Sequence, residues 1–222
     1  MKYKVIITGS TGMVGRGVLL ECLDSDIIEK VLVINRSTID IQHPKLKEVI
    51  LKDFSQFEPI KAELIGYDAC FHCMGVSAAG MSEEKYNALT FEVTKNLADI
   101  LYELNPNFIF HYVSGLGTNS SETGGAMWAR VKGKTENYLL NKGFKRAIMF
   151  RPGFIVPERG IRSKTKVYQV FYTILNPFMG ILKKSKNITT TTKIGLVMID
   201  SLTNDFQMTH LQNSEINHLS TQ

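Results

Sequence analysis

Three glycines, Gly9, Gly12 and Gly15, stand at G-x-x-G-x-x-G spacing in "VIITGSTGMVGRGV", between an apolar β-branched run and a helical pattern. Glycine in such a turn lets main-chain N–H groups approach a pyrophosphate closely, and the helix that follows offers its positive end to the same anion. With Ser10, Thr11, Met13 and Val14 between the glycines, residues 9–15 form the expected dinucleotide cradle. The next strand ends in "INRS", placing Asn35, Arg36 and Ser37 about 20 residues on. An Asp or Glu there would hold the ribose 2′-hydroxyl of NAD. A carboxylate repels a 2′-phosphate, whereas a guanidinium and a hydroxyl bind one. The expected cofactor is therefore NADP, with NAD second. A further pair, Trp128 and Lys132 in "GGAMWARVKGKTE", is spaced i, i+4 and shares one helix face. It sets an ammonium beside an indole, which donates a hydrogen bond but accepts none and keeps its proton at any usable pH.

These groups need a scaffold, and the hydrophobic pattern supplies one. Strands are expected at 3–8, 30–35, 46–52, 67–75, 107–114 and 145–153. Between them lie helical patterns, including residues 83–104 capped by Ser82, with Leu89, Val93, Leu97, Ile100 and Leu101 on one face, and a helix from about 126 to 141. Nearly all-apolar strands alternating with helices predict an α/β fold: a doubly wound parallel sheet with helices on both faces. Topology then brings Asp53 and Phe54 beside the adenine, and Cys73, Met74 and Gly75 beneath the ribose and phosphates. After Gly153 the pattern loosens. A basic loop precedes an apolar stretch at 167–182 cut by Pro177 and Gly180, expected as a kinked helix pair packed against the sheet's C-terminal edge as a small substrate lobe or dimer face, with a membrane-surface helix as the alternative. A capped helix near 190–204 closes the chain. The whole reads as a single domain over 1–222, with 155–222 partly forming that lobe.

Bulk properties narrow the classes. With 222 residues, 44% of them hydrophobic, the chain can bury one sizeable core. No apolar run is long enough to span a membrane, and no secretory pattern opens the chain, so a cytoplasmic location is expected. Net charge is +5, split between an acidic first part, with 16 acidic against 11 basic side chains over 1–127, and a basic remainder, with 15 basic against 5 acidic. That remainder can meet an anionic cofactor or substrate; no nucleic-acid-binding module is recognisable, and none is expected. Cys70 and Cys73 form a CxxC, but a strand period of two sends them to opposite faces and no second ligand pair completes a site, so buried thiols and no metal are expected. His72 and His111, inside strands, read as core residues.

Taken in order, "TGSTGMVG", "NRS", "KDF", "FHCMG", "YVSGLG", "WARVKGKTE" and "FRPGFIV" resemble the short-chain dehydrogenase/reductase superfamily, nearest its atypical, epimerase-like and NmrA-like branches. The resemblance covers residues 3–156 and implies a Rossmann-like nucleotide fold, a small-molecule substrate that is a carbonyl or an anionic compound, and a homodimer. It also implies a Tyr-x-x-x-Lys signature with an upstream Ser: the Lys binds the nicotinamide ribose, the Tyr exchanges a proton with the substrate oxygen and the Ser positions that oxygen. Lys132 matches the lysine. Trp128 stands at the tyrosine. Ser114 matches the serine, unless a one-residue shift puts Gly115 there. Pro152 and Gly153 would lie against the nicotinamide, with Phe154 and Ile155 offering backbone N–H groups to its amide. Tyr138, six residues past Lys132, is rotated about 600° to another face; Tyr112 and Tyr86 remain as replacement acids. Two functions follow: an NADP-dependent oxidoreductase or epimerase-like enzyme with an incomplete signature, or an NADPH-holding sensor that has lost proton transfer.

Overall fold

In a computed structural model, the structure describes residues 1–161 and 187–221. Strands β1 (Tyr3–Thr8), β2 (Ile28–Asn35), β3 (Leu46–Ile50), β4 (Ala69–His72), β5 (Ile109–Val113) and β6 (Arg146–Phe150) join a short β9 (His210–Leu211) in one sheet of order β3-β2-β1-β4-β5-β6-β9, each neighbouring pair parallel. The strand order reverses between β1 and β4, and α/β sheets bind ligands in the crevice that opens at such a point.

Strict alternation along the strands builds two cores. Val5, Ile7, Val31, Val33, Ala69 and Phe71 face α1 (Met13–Asp24) and α5 (Thr191–Asp200). Ile6, Leu32, Ile34, Cys70, Phe110 and Met149 face α3 (Val93–Leu104) and α4 (Met127–Asn141). The expected doubly wound sheet is therefore present. Helices α1 and α5 meet where both carry glycine: a Cβ on Gly17 would lie 2.5 Å from the Thr191 Cβ, and one on Gly195 would lie 3.2 Å from the Val18 Cα.

Several local expectations need correction. The strands at 67–75 and 145–153 are shorter, ending at His72 and Phe150, because the chain turns out of the sheet to form the cleft. Residues 83–104 begin as α2 (Glu83–Asn87), with Ser82 accepting from the Lys85 N–H, but pass through a π-helical turn at Ala88–Glu92 before α3. That turn shifts the helical phase, so Leu89 is 40% exposed while Thr90 and Phe91 are buried. Past Gly153, β7 (Phe154–Val156) pairs in parallel with β8 (Ile188–Thr190), a ribbon the loosened pattern did not show. Thr190 caps α5, and α6 (Asn213–Leu219) follows β9. The kinked pair expected at 167–182 lies outside the described residues. Among the described residues, no helix is long and apolar enough to cross a membrane.

Candidate functional site

The glycine turn is folded against its own chain. Gly9 has φ +75°, and a Cβ there would sit 2.7 Å from the Cys73 carbonyl carbon and the Met74 nitrogen. The Gly12 N–H donates to the Gly9 oxygen at 2.9 Å, and a side chain on Gly15 would overlap that same oxygen. Gly9 and Gly15 thus permit close backbone approaches that no other residue allows. Helix α1 starts with no side-chain cap and no acidic residue in its first turn.

One cleft collects Gly9, Thr11 and Gly12 from this turn, Asn35 and Arg36 from the end of β2, Phe54, and Cys73, Met74 and Gly75 beyond β4. Nothing lies within 4 Å of the position a Gly75 side chain would take, so the floor there is open. Phe54 is held edge-on by Phe57, with ring centroids 5.6 Å apart. Asn35 lines this cleft and Ser10 the adjoining cavity, but they spend their side chains on each other. Ser10 Oγ donates to Asn35 Oδ1 at 2.9 Å, and Asn35 Nδ2 donates to Glu48 at 3.0 Å. Asp53 turns to its own loop instead, accepting from the Ser55 N–H at 2.8 Å; the Ser55 hydroxyl first, and then that N–H, hold its carboxyl below the usual range. Across the glycine turn, an adjoining cavity places Ser37 and Thr38 opposite Arg16, with Asp40 and Arg159 also at its wall. Arg159 is pinned over α1 by Glu21 at 3.1 Å and Asp24 at 2.7 Å. Lys52 Nζ donates to the Arg36 carbonyl at 2.8 Å, adding a cation at the β2 end.

At the other end of the sheet edge, Lys132 Nζ donates to the Ser114 carbonyl. Burial pulls its pKa down to about 8, with Glu136 one turn further along α4 opposing the shift. Ser114 was expected to position a substrate oxygen, with Gly115 as the alternative. Its hydroxyl is on the buried side of the chain, 3% exposed, donating to Glu136 and to the Phe150 carbonyl. Gly115 faces the lysine instead: a Cβ there would lie 3.8 Å from Lys132 Nζ and 3.8 Å from the Pro152 oxygen. Trp128 packs its six-membered ring against Gly117, whose φ of +87° and lack of a side chain make room for it. It belongs to a cluster with Tyr86, Phe91, Val76 and Met81. Met13 opens α1 and Val14 packs into the core beneath the turn.

Pro152 and Gly153 are adjacent to this end, whereas Phe154 and Ile155 are strand residues paired with Ile188 and Thr189. The segment is fixed by a residue the sequence reading missed. Asn213 Oδ1 accepts from the Gly153 N–H at 3.1 Å, while its amide donates to the Phe154 carbonyl at 3.2 Å and to the Asn187 carbonyl. Its distance of 60 residues along the chain left no signal. Arg16 was also missed, although its place directly after the third glycine could have marked it. Glu136, fully buried, is gripped by the Arg151 guanidinium, with His210 Nε2 at 3.6 Å.

The replacement acids are deeply placed. Tyr112 is enclosed within β5 and burial drives its pKa far up; Tyr86 is buried and shifted the same way. His72 bridges Thr8 at 2.8 Å and Thr94 at 3.1 Å, and burial lowers its pKa to about 3, which makes it a neutral strut between β1, β4 and α3. Cys70 and Cys73 lie in opposite cores, as the strand period requires, and burial lifts the Cys73 thiol to about 12. Among the described residues, no three His, Cys, Asp or Glu side chains gather as metal ligands.

Sequence comparison matches residues 5–127 to the NAD dependent epimerase/dehydratase family, from the first strand to the start of the Trp128 helix. The chain belongs to that family. A relative from Candida albicans, "Protein FMP52, mitochondrial", is 27% identical over 157 residues, covering 69% of this chain and 67% of its own length. Among solved structures, the Bordetella bronchiseptica enzyme WbmH in complex with NAD+ superposes with TM-score 0.70 at 16% identity, over 95% of this chain and 74% of that one. A UDP-N-acetylglucosamine 4-epimerase from Methanobrevibacter ruminantium gives TM-score 0.71 at 17% identity, over 96% and 76%. At such identities the likeness is one of fold. The expected cytoplasmic location is overturned: several fungal relatives are named mitochondrial, and the pattern at the start of the chain is no guide against that.

Proposed function

We propose that this protein binds NADP(H) across the edge of β1, β2 and β4 and acts as an oxidoreductase or epimerase-like enzyme on a small molecule, with an altered route for the proton. One observation carries the reading: the glycine turn, Arg36 and the open floor at Gly75 meet in a single cleft where the strand order reverses. The turn has no room for side chains and room for main-chain contact with a pyrophosphate. Phe54 would flank the adenine. Arg36, Ser37 and Arg16 would hold the 2′-phosphate, and Lys132 the ribose next to the nicotinamide. When bound, the cofactor supplies or accepts a hydride; the chain's own residues orient it and hold charge around it.

Calorimetry tests the cofactor preference. Arg36→Asp should weaken NADPH binding about 10- to 100-fold, the worth of a charge-assisted pair replaced by repulsion, and leave NADH within about threefold. Equal effects on both would remove the 2′-phosphate assignment. A second reading, a nucleotide-holding sensor without turnover, is favoured by Trp128 at the tyrosine's place and by the inward hydroxyl of Ser114. Turnover of NADPH with any carbonyl panel member separates the two. The homodimer belongs to the same proposal and is checked by light scattering on the purified chain.

A further inference from the structure

The chain leaving β2 is held from the side of β3. Lys52 Nζ donates to the Arg36 carbonyl at 2.8 Å, and Glu48 Oε1 accepts from the Ile39 N–H at 3.0 Å. Between those two anchors stand Ser37 and Thr38, which line the same cavity as Arg16. The same Glu48 oxygen accepts from Asn35 Nδ2 at 3.0 Å, and Asn35 Oδ1 accepts from the Ser10 hydroxyl at 2.9 Å. One carboxylate therefore ties the glycine turn, the end of β2 and residue 39 together.

Packing alone gives no reason for an acid at this place. Glu48 is in register with Val33, and the preceding pair on that face, Val31 and Leu46, belongs to the core beneath α1. An apolar side chain would continue the row. Glu48 itself lines neither of the two cavities, so whatever it does for a ligand passes through its partners. Its chemistry suits that task. An ionised carboxylate only accepts, so it takes the amide NH2 of Asn35, fixes the orientation of that amide and leaves Oδ1 to the Ser10 hydroxyl. A charged acceptor also holds a main-chain N–H more firmly than a neutral one. A loop already held in its bound shape need not be ordered when the ligand arrives, and the saving appears as affinity.

We propose that Glu48 is the positioning residue for the 2′ end of the dinucleotide: by fixing Asn35 and Ile39 it presents Ser37 and Thr38 beside Arg16, and so sets the preference for a ribose that carries a phosphate. The proposal rests on the reading of the cleft as an NADP(H) site and names what holds its selective loop in place.

Glu48→Leu keeps the bulk and removes both acceptor bonds. In calorimetry on the intact chain it should weaken NADPH binding about tenfold, the worth of bonds to a charged acceptor, and change NADH binding less than about threefold. Glu48→Gln retains an oxygen that accepts from both N–H groups and should stay within about threefold of the parent for each nucleotide. A merely structural role would not move the ratio of the two affinities. Amide exchange read by mass spectrometry on the ligand-free chain needs no nucleotide: residues 36–40 should exchange at least about tenfold faster in Glu48→Leu, with Glu48→Gln near the parent. Should Glu48→Leu fail to fold by circular dichroism, Glu48→Ala, which adds no bulk, carries the same expectations. Equal losses for NADPH and NADH, unchanged exchange, or Glu48→Gln behaving as Glu48→Leu does, each overturn the proposal. A parent that prefers NADPH, with that ratio unmoved in Glu48→Leu, defeats the positioning role alone. A parent without that preference defeats the NADP(H) reading and the role built on it.

Discussion

Lys132 shows how a single side chain couples burial to function. Desolvation brings its pKa down to about 8, so its ammonium is present at neutral pH and lost above that value. Dinucleotide affinity should therefore fall as pH rises from 7 to 9, and Lys132→Gln should flatten that dependence while weakening binding several-fold; calorimetry at a series of pH values reads both. Gly9→Ala is the second residue-scale test. Its Cβ would meet the Cys73–Met74 backbone at 2.7 Å in a left-handed conformation, so it should lower stability by roughly 1–3 kcal/mol and abolish detectable nucleotide binding. The glycines were legible because a local turn needs no distant partner to declare itself. Ser114 was not, since a one-residue register choice at the end of a strand decides which face the hydroxyl takes. The structure gives that hydroxyl to Glu136 and turns Gly115 to the lysine.

Between elements, the contacts that shape the site come from parts of the chain far apart in sequence. Asn213 at the start of α6 ties the Gly153 N–H and the Phe154 carbonyl into place. Asn213→Ala should weaken NADPH binding about tenfold yet leave adenosine 2′,5′-bisphosphate, which lacks the nicotinamide end, within about twofold. Equal losses for the two ligands would assign Asn213 to general stability. Strand and helix positions were largely readable, because period-two and period-3.6 burial leave different traces. Leu89 escaped since one π turn re-phases the helix from within. The β7–β8 pairing joins Phe154–Val156 to residues more than 30 positions later, and three-residue strands carry too little pattern to announce themselves.

On the scale of the molecule, one sheet with two packed faces fixes where a ligand can go. Helix α1 both borders the cleft and packs on α5 through Gly17, so the glycine turn and the core are mechanically one body. The buried Glu136–Arg151 pair joins α4 to the end of β6. Glu136→Ala would strand the arginine and should cost about 3–5 kcal/mol by chemical denaturation. The fold class was legible from alternation alone. The location was not, because a compartment is no property of a packing pattern. The most direct test of the whole account is a calorimetric titration of the intact chain with NADPH. The account predicts saturable binding at one site per chain, displaced by adenosine 2′,5′-bisphosphate; an absence of both heat and displacement, with the protein folded by circular dichroism, would contradict it.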